Sequence, residues 1–281
     1  MRKLAEPLLY RHLDLGNCPT RSLYLFRTLL AREDLCKHVR TFIPTDYHLK
    51  ADGFFDTLKW LVLKQKEKYK RGGLYLQLAT QVAARLKHAE SISTSTPYNQ
   101  YVQILSGLSD VKRFRTTNAV GFRGLLESLF DAMPKVTHLE LPFDMLSLYG
   151  SVIHPYYAPF LQELVCPATF APLLVPGRPV RRLILRWPRW ADGPNVSELM
   201  EDMAQSSDTI RRLGLLIGWR VNLQADIEEI FSATARFLPD VEELTVWLEF
   251  WKGRTHLLER LMREKTSYTS PSFAFLTLTV P

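Results

Sequence analysis

Histidines and neighbouring acids are the side chains of this chain that could carry acid/base or metal chemistry. His12, His38 and His138 each fall in or just before a segment with strand character. Neighbouring acids point to different faces of a helix or strand and so do not form a carboxylate dyad. These acid pairs are Glu201-Asp202, Glu228-Glu229 and Glu242-Glu243. We find no phosphate-binding loop, His-Glu-x-x-His motif or Gly-x-Ser-x-Gly elbow, and predict no catalytic residue, cofactor or metal.

Composition and cysteine usage favour an intracellular protein. The 281 residues are 46% hydrophobic and 23% charged, which suits a folded protein with a continuous core. The three cysteines, Cys18, Cys36 and Cys166, include no Cys-x-x-Cys pair and no even set for disulfides. No apolar run reaches the roughly 18 residues of a membrane span, and Glu6-Pro7 interrupts any leader. We expect a cytoplasmic or nuclear protein without membrane contact.

Tryptophan and arginine cluster near the ends of three late predicted strands. Such residues often carry binding energy, because they combine large area with hydrogen-bonding or planar charged groups. The alternative is that these tryptophans pack between units and close the edge of the core. The candidate partner-binding residues, including two arginines at the starts of strands, are Arg182, Arg186, Trp187, Trp190, Arg212, Trp219, Trp247 and Trp251.

The formal charge of +7 leaves nucleic-acid binding open as a second interpretation. The basic residues are spread along the chain, however, and the densest run, Lys64–Arg71, includes an acid and suits a solvated helix end. Stacking aromatics beside arginine would also suit single-stranded nucleic acid, but Glu243 and Glu249 nearby disfavour it.

The elements that must position these residues repeat along the chain. A branched, aromatic or small residue is followed three positions later by Leu, Phe or Ile, at intervals typical of one strand plus one helix. We therefore predict an α/β fold, an irregular leucine-rich-repeat-like solenoid with parallel strands on the concave side and helices on the convex side. The anchors begin at Tyr10, Val39, Ala89, Val111, Val136, Leu161, Val180, Ile210, Val241 and Phe273.

Alternation within each strand predicts which side chains face the helices. Leu139 with Leu141, Leu183 with Leu185, and Leu213 with Leu215 should be buried. Their neighbours should form an outward row of mixed charge across the open face of the sheet. Its members are Thr41/Ile43, Ser91/Ser93, Arg113/Arg115, His138/Glu140, Glu163/Val165, Arg182/Ile184, Arg212/Gly214, Glu243/Thr245 and Phe275/Thr277.

Helices are predicted between the strands. One should span about Ser22 to Arg32, and another should run from an Asn195 cap towards Gln205. Pro134 and Pro239 should end the helices before two of the strands. An extra helical segment is expected at about 50–88, and the proline-rich interval 161–180 should cross by a loop.

The opening of the chain resembles fungal F-box proteins. In that family the last F-box helix runs into a Leu-Tyr-Arg-His strand, followed by a Leu-Leu helix and a His-Val-Arg strand. Here the corresponding phrases are Leu9–His12, Leu29-Leu30 and His38–Arg40. The resemblance implies that 1–9 are the remnant of the last F-box helix, with most of the F-box missing, and that 10–281 form one repeat domain.

The resemblance also implies a role. Such proteins are substrate receptors of cullin-based ubiquitin ligases, in which the F-box holds the adaptor subunit and the repeats select a protein. We therefore expect a non-catalytic, protein-binding repeat domain whose concave face binds a protein partner, with an adaptor only if an F-box is encoded upstream. The alternatives are a basic module for nucleic acid and a repeat scaffold without any ubiquitin-ligase role.

Overall fold

The computed structural model describes residues 2–14, 19–43, 78, 81–94, 109–116, 125–141, 153–187, 195–217, 223–249 and 273–279. The chain divides into two compact units, Met1–Lys135 and Val136–Pro281. Unit 1 contains α1 (Arg2–Leu9), β1 (His12–Asp14), α2 (Pro19–Ala31), α3 (Glu33–Cys36), β2 (Thr41–Ile43), β3 (Ser91–Thr94), β4 (Arg113–Thr116) and α4 (Leu125–Ala132). Unit 2 contains β5 (His138–Glu140), β6 (Glu163–Pro167), α5 (Ala171–Leu174), β7 (Arg182–Trp187), α6 (Val196–Met203), β8 (Arg212–Ile217), α7 (Leu223–Phe237), β9 (Glu243–Glu249) and β10 (Phe273–Thr279).

In unit 1, the four strands run parallel in chain order, and the predicted inward residues lie side by side. Leu13 is the register partner of Phe42, which pairs with Ile92, which in turn pairs with Phe114. All four side chains are buried. The Phe26 ring of α2 lies 6.2 Å from the Phe42 ring, so the helix covers this face of the strands.

In unit 2, the strands β5 to β9 run parallel in chain order, and β6 to β9 are longer than the strands of unit 1. The register joins, in order, Leu139, Leu164, Leu183, Leu213 and Leu244. These leucines are buried, as are Leu141, Leu185 and Leu215 at the second inward positions. The prediction of inward leucine pairs is confirmed for these strands.

One backbone hydrogen-bond pattern recurs at the starts of β2, β3, β4, β6, β7, β8 and β9. The carbonyl oxygen of the residue before a strand accepts from two successive amides at the start of the next strand. In unit 2 the carbonyl of Arg181, for example, accepts from Arg211 N at 2.9 Å and Arg212 N at 3.1 Å. The other accepting carbonyls belong to Arg11, Arg40, Glu90, Thr137, Gln162 and Arg211. This repeated contact fixes the register between neighbouring strands.

The helix predictions hold where the structure describes them. Helix α2 covers the segment expected at Ser22 to Arg32. At the start of α6, the Asn195 side chain accepts from Ser197 N at 2.8 Å and Glu198 N at 3.2 Å, which is an N-cap. Helices α4 and α7 end just before Pro134 and Pro239, as predicted.

Two expectations need correction. The interval 161–180 crosses not by a plain loop but by a 3₁₀ turn, Ala168–Phe170, and the short helix α5, in which Pro172 takes an early position where no amide donor is needed. Strand β10 pairs antiparallel with β9, placing Leu276 opposite Val246, although the prediction made all strands parallel. Alternation of inward and outward side chains is identical in either strand direction, so the pattern could not distinguish them.

Most of the predicted insertion at 50–88 lies outside the described residues. The 1–9 segment is helical over Arg2–Leu9, but its interpretation as an F-box remnant stays a prediction. The single domain expected over 10–281 likewise stays a prediction beside the two compact units.

Candidate interaction face

The open face of unit 2 is the side of β5 to β9 that carries the outward residues. Its residues alternate with the buried leucines and are more exposed than they are, apart from Pro167, Gly214 and Thr245, which are buried. The first outward position of each strand forms a charged row, defined here as His138, Glu163, Arg182, Arg212 and Glu243, which are successive register partners. The second position forms an adjacent row of mostly uncharged residues.

Two arginine–glutamate ion pairs and one histidine–glutamate contact join neighbouring strands within the charged row. Glu163 contacts His138 Nε2 at 3.0 Å and Arg182 Nη1 at 3.4 Å. On the far side of the row, Arg212 Nε lies 3.3 Å from a Glu243 carboxylate oxygen. Arg182 and Arg212 stay 48% and 63% exposed at their side chains. Exposed pairs of this kind contribute little stability, so the row is better suited to recognition than to holding the sheet together.

An apolar shelf, defined here as Ile184, Gly214 and Trp247, lies beside the charged row. A Cβ atom placed on Gly214 would be 2.5 Å from Cζ3 of the Trp247 ring and 3.1 Å from Cγ1 of Ile184. The indole therefore leans diagonally across the glycine of the neighbouring strand, and Ile184 borders the same glycine. Glycine is required here because any side chain would occupy the space of the ring.

The structure brings together four of the predicted binding residues and separates one. Arg182, Arg186, Arg212 and Trp247 lie on the open face of three neighbouring strands, by the alternation of each strand. Trp187 does not belong there: its side chain is only 2% exposed and shares the core face with Leu183 and Leu185, so it is a packing residue. Trp190, Trp219 and Trp251 lie outside the described residues.

Sequence reasoning did not single out Ile184 and Gly214 as site residues. The available signal was a glycine inside a strand, a position where glycine weakens the strand and often marks the close approach of another group. The reason for this glycine is the ring of Trp247, which lies one outward row further along the adjacent strand. The long reach of an indole along the sheet diagonal is not visible from spacing alone.

A second surface that the sequence analysis missed is the aromatic loop 153–160 before β6. The Tyr156 ring lies 4.2 Å from Tyr157 and 4.6 Å from His154, centroid to centroid. Tyr156 and Phe160 are 62% and 56% exposed. The signal in the sequence was two tyrosines between closely spaced prolines.

The aromatic loop is held by Arg178, the charged side chain that is fully buried in the described part of the chain. Its Nε donates to the carbonyl of Tyr157 at 2.8 Å and its Nη2 to that of His154 at 2.9 Å. Further bonds go to the carbonyls of Ile153, Leu173 and Pro176. Burial lowers the pKa of Arg178 to about 10, yet the carbonyls supply the guanidinium with acceptors, so the residue is a structural clamp.

The cysteines and acids of the described part of the chain show ordinary structural environments. Burial raises the pKa of the Cys166 and Cys36 thiols, which disfavours the reactive thiolate. The hydrogen bond from Arg181 lowers the pKa of Asp208, and that from Lys135 lowers the pKa of Asp110. Within the described ranges, no three His, Cys, Asp or Glu side chains are grouped as ligands for a metal ion.

No protein-family model matches the chain, and no curated protein sequence matches it. Among the helices that the structure describes, none has the length and apolar character needed to cross a membrane. Over the residues that the structure describes, the chain is an α/β protein, with four parallel strands in unit 1, five in unit 2 and helices in both.

Proposed function

We propose that this chain is a non-catalytic, protein-binding repeat domain of leucine-rich-repeat-like architecture, and that the open face of unit 2 receives its partner. The observation that carries the proposal is the register of β5 to β9, which sets a charged row and a partly exposed apolar shelf next to each other on one face of the sheet. Parallel strands with repeated backbone contacts are the ordinary way in which solenoids build such surfaces.

We further propose that the domain is the substrate-recognition part of an F-box-type receptor for a cullin-based ubiquitin ligase. This rests on two phrases of the sequence. Leu9–His12 runs from the end of α1 to the start of β1, and His38–Arg40 directly precedes β2. The fold supports a binding role more strongly than it supports the ligase, since many unrelated functions share one architecture.

The binding role is tested by comparing proteins retained by the wild-type chain with those retained by two variants. Ile184→Glu places a charge on the apolar shelf, whereas Glu201→Lys changes an exposed charge on α6. Partners specific to the open face should be lost by Ile184→Glu and kept by Glu201→Lys, with both variants folded by circular dichroism. Retention that is identical in all three proteins contradicts the proposal.

The ligase role is tested separately with purified cullin adaptor subunit and the complete native gene product. Binding at micromolar concentration or tighter is expected if the receptor interpretation is correct. Absence of binding removes the ligase role and leaves a repeat scaffold. Binding of nucleic acid that weakens steeply with salt would instead favour the basic-module alternative, because phosphate contacts release counterions.

A further inference from the structure

The centre of the charged row holds two arginines side by side. Arg182 on β7 and Arg212 on β8 are register partners on the same face of the sheet. Like charges placed directly opposite each other on neighbouring strands destabilise a sheet. The alternation of inward and outward residues requires exposed side chains at these positions, but it does not require arginine. A functional role would account for the pair of arginines.

The glutamates of the row lie on the outer sides of this arginine pair. Glu163 reaches Arg182 from β6, and Glu243 reaches Arg212 from β9. The order across the strands is therefore Glu163, Arg182, Arg212, Glu243, with positive charge in the middle and negative charge at both ends. A guanidinium has five N–H donors, and each contact described here is made to a single glutamate oxygen, so the pair retains the capacity to bind one anion between them.

The apolar shelf begins two residues further along the same strands. Two residues of a strand span about 6.6 Å, which is also the separation of alternate side chains in an extended peptide. A ligand that places an anionic group between the arginines can therefore place an apolar group over Ile184, Gly214 and Trp247. The two features form one composite surface.

We propose that this surface binds an extended acidic segment of a protein, with an Asp or Glu carboxylate between Arg182 and Arg212 and an apolar side chain two positions away on the shelf. The inference rests on the proposed binding role of the open face and names the chemistry of the partner. Charge complementarity favours a carboxylate over basic or neutral segments, because the middle of the row is doubly positive. A nucleic-acid backbone fits less well, since its successive phosphates would meet Glu163 or Glu243.

The chain provides a matched control for this proposal. Arg181 and Arg211 directly precede the two arginines in the sequence, just before β7 and β8 begin, and each has a carboxylate partner of its own. Arg181 contacts Asp208 at 2.6 Å and Arg211 contacts Glu242 at 3.2 Å. Replacing either pair by glutamine removes the same residue types and the same net charge.

The experiment measures binding of the full chain to an array of random short peptides. Peptides with Asp or Glu two positions from Leu, Phe or Trp should be enriched. Their affinity, measured in solution by fluorescence anisotropy, should fall about tenfold or more in Arg182→Gln/Arg212→Gln, and by no more than about twofold in Arg181→Gln/Arg211→Gln. Ile184→Ser should also weaken the binding of the same peptides. A single-stranded oligonucleotide should not displace these peptides from the wild-type chain.

The outcomes separate this inference from the broader proposal. Two results would overturn the acidic partner but leave the open face as the binding surface. In the first, the peptides whose affinity falls in Ile184→Ser are basic or neutral. In the second, the two double arginine variants lower peptide affinity equally. Enriched peptides whose affinity is unchanged by Ile184→Ser and by Arg182→Gln/Arg212→Gln overturn both proposals. Competition by the oligonucleotide also overturns the acidic segment and assigns the anion site to nucleic acid.

Discussion

The two units carry open faces of different character. In unit 1 the strands β1 to β4 are three or four residues long, and their outward positions are polar apart from Ile43. In unit 2, β6 to β9 are five to seven residues long. The extra length adds a third outward row, which holds Arg186, Leu216 and Trp247. Ile184 and Gly214 lie in the second outward row, a position that the strands of unit 1 also have. Strand length and residue type together decide where the chain can present an apolar surface.

The largest expected effect concerns the buried arginine of unit 2. Arg178→Met should lower the free energy of unfolding by about 3 kcal/mol or more, because carbonyl oxygens of Ile153, His154 and Tyr157 lose their donor inside the protein. Chemical denaturation followed by circular dichroism measures the change. Arg211→Met, at a side chain 62% exposed, should cost less than about 0.5 kcal/mol. Equal costs for the two variants would contradict the structural role.

The next effect compares the two faces of one strand. Leu215 is buried on the helix side of β8, and Leu216 is partly exposed on the open side. Leu215→Ala should lower the free energy of unfolding by about 3 kcal/mol, and Leu216→Ala by about 1 kcal/mol. Urea unfolding of both proteins tests the assignment. A larger loss of stability in Leu216→Ala than in Leu215→Ala would mean that Leu216, and not Leu215, faces the core.

A smaller effect tests the apolar shelf itself. Gly214→Ala places a methyl group 2.5 Å from the Trp247 ring, which must move. We expect a destabilisation of about 1 to 2 kcal/mol together with altered near-ultraviolet circular dichroism. Adding Trp247→Leu should remove most of that cost, in a double-mutant cycle. Ser93→Ala on the open face of unit 1 is the control and should change stability by about 0.5 kcal/mol or less. Additive effects at Gly214 and Trp247 would show that they do not touch.

The smallest expected effect is the pH dependence of stability that comes from Asp208, just before β8. The pKa of the Asp208 carboxyl is lowered, first by the hydrogen bond from Arg181, so its contribution is present above the unfolded-state pKa and is lost as the pH falls through the folded value. Asp208→Asn should therefore be less stable than wild type near neutral pH, with the difference vanishing in acid. A difference that is constant over this range would disprove the linkage.

Much of the fold was predictable because buried positions repeat. The leucines of β5 to β9 form one row in register, and the Asn195 cap and the helix-ending prolines act locally, so short patterns suffice. The direction of β10 was not predictable, since alternation has no polarity.

The candidate site was only partly predictable. Arg182, Arg186, Arg212 and Trp247 were identified by type and position, whereas Trp187 was misassigned because a one-residue step moves a side chain to the opposite face of a strand. The role of Gly214 depends on a diagonal contact with another strand. The clamp at Arg178 depends on carbonyls brought from distant parts of the chain, which no local pattern encodes.

The most direct test of the central claim is a methyl NMR titration of the full chain with an acidic peptide selected from the array. We expect the methyl signals of Ile184 and Leu216, on the open face, to shift with the peptide, while those of their neighbours Leu185 and Leu215, on the core face, stay nearly unchanged. Shifts confined to residues of the aromatic loop 153–160, with Ile184 and Leu216 unaffected, would contradict it and move the binding surface there.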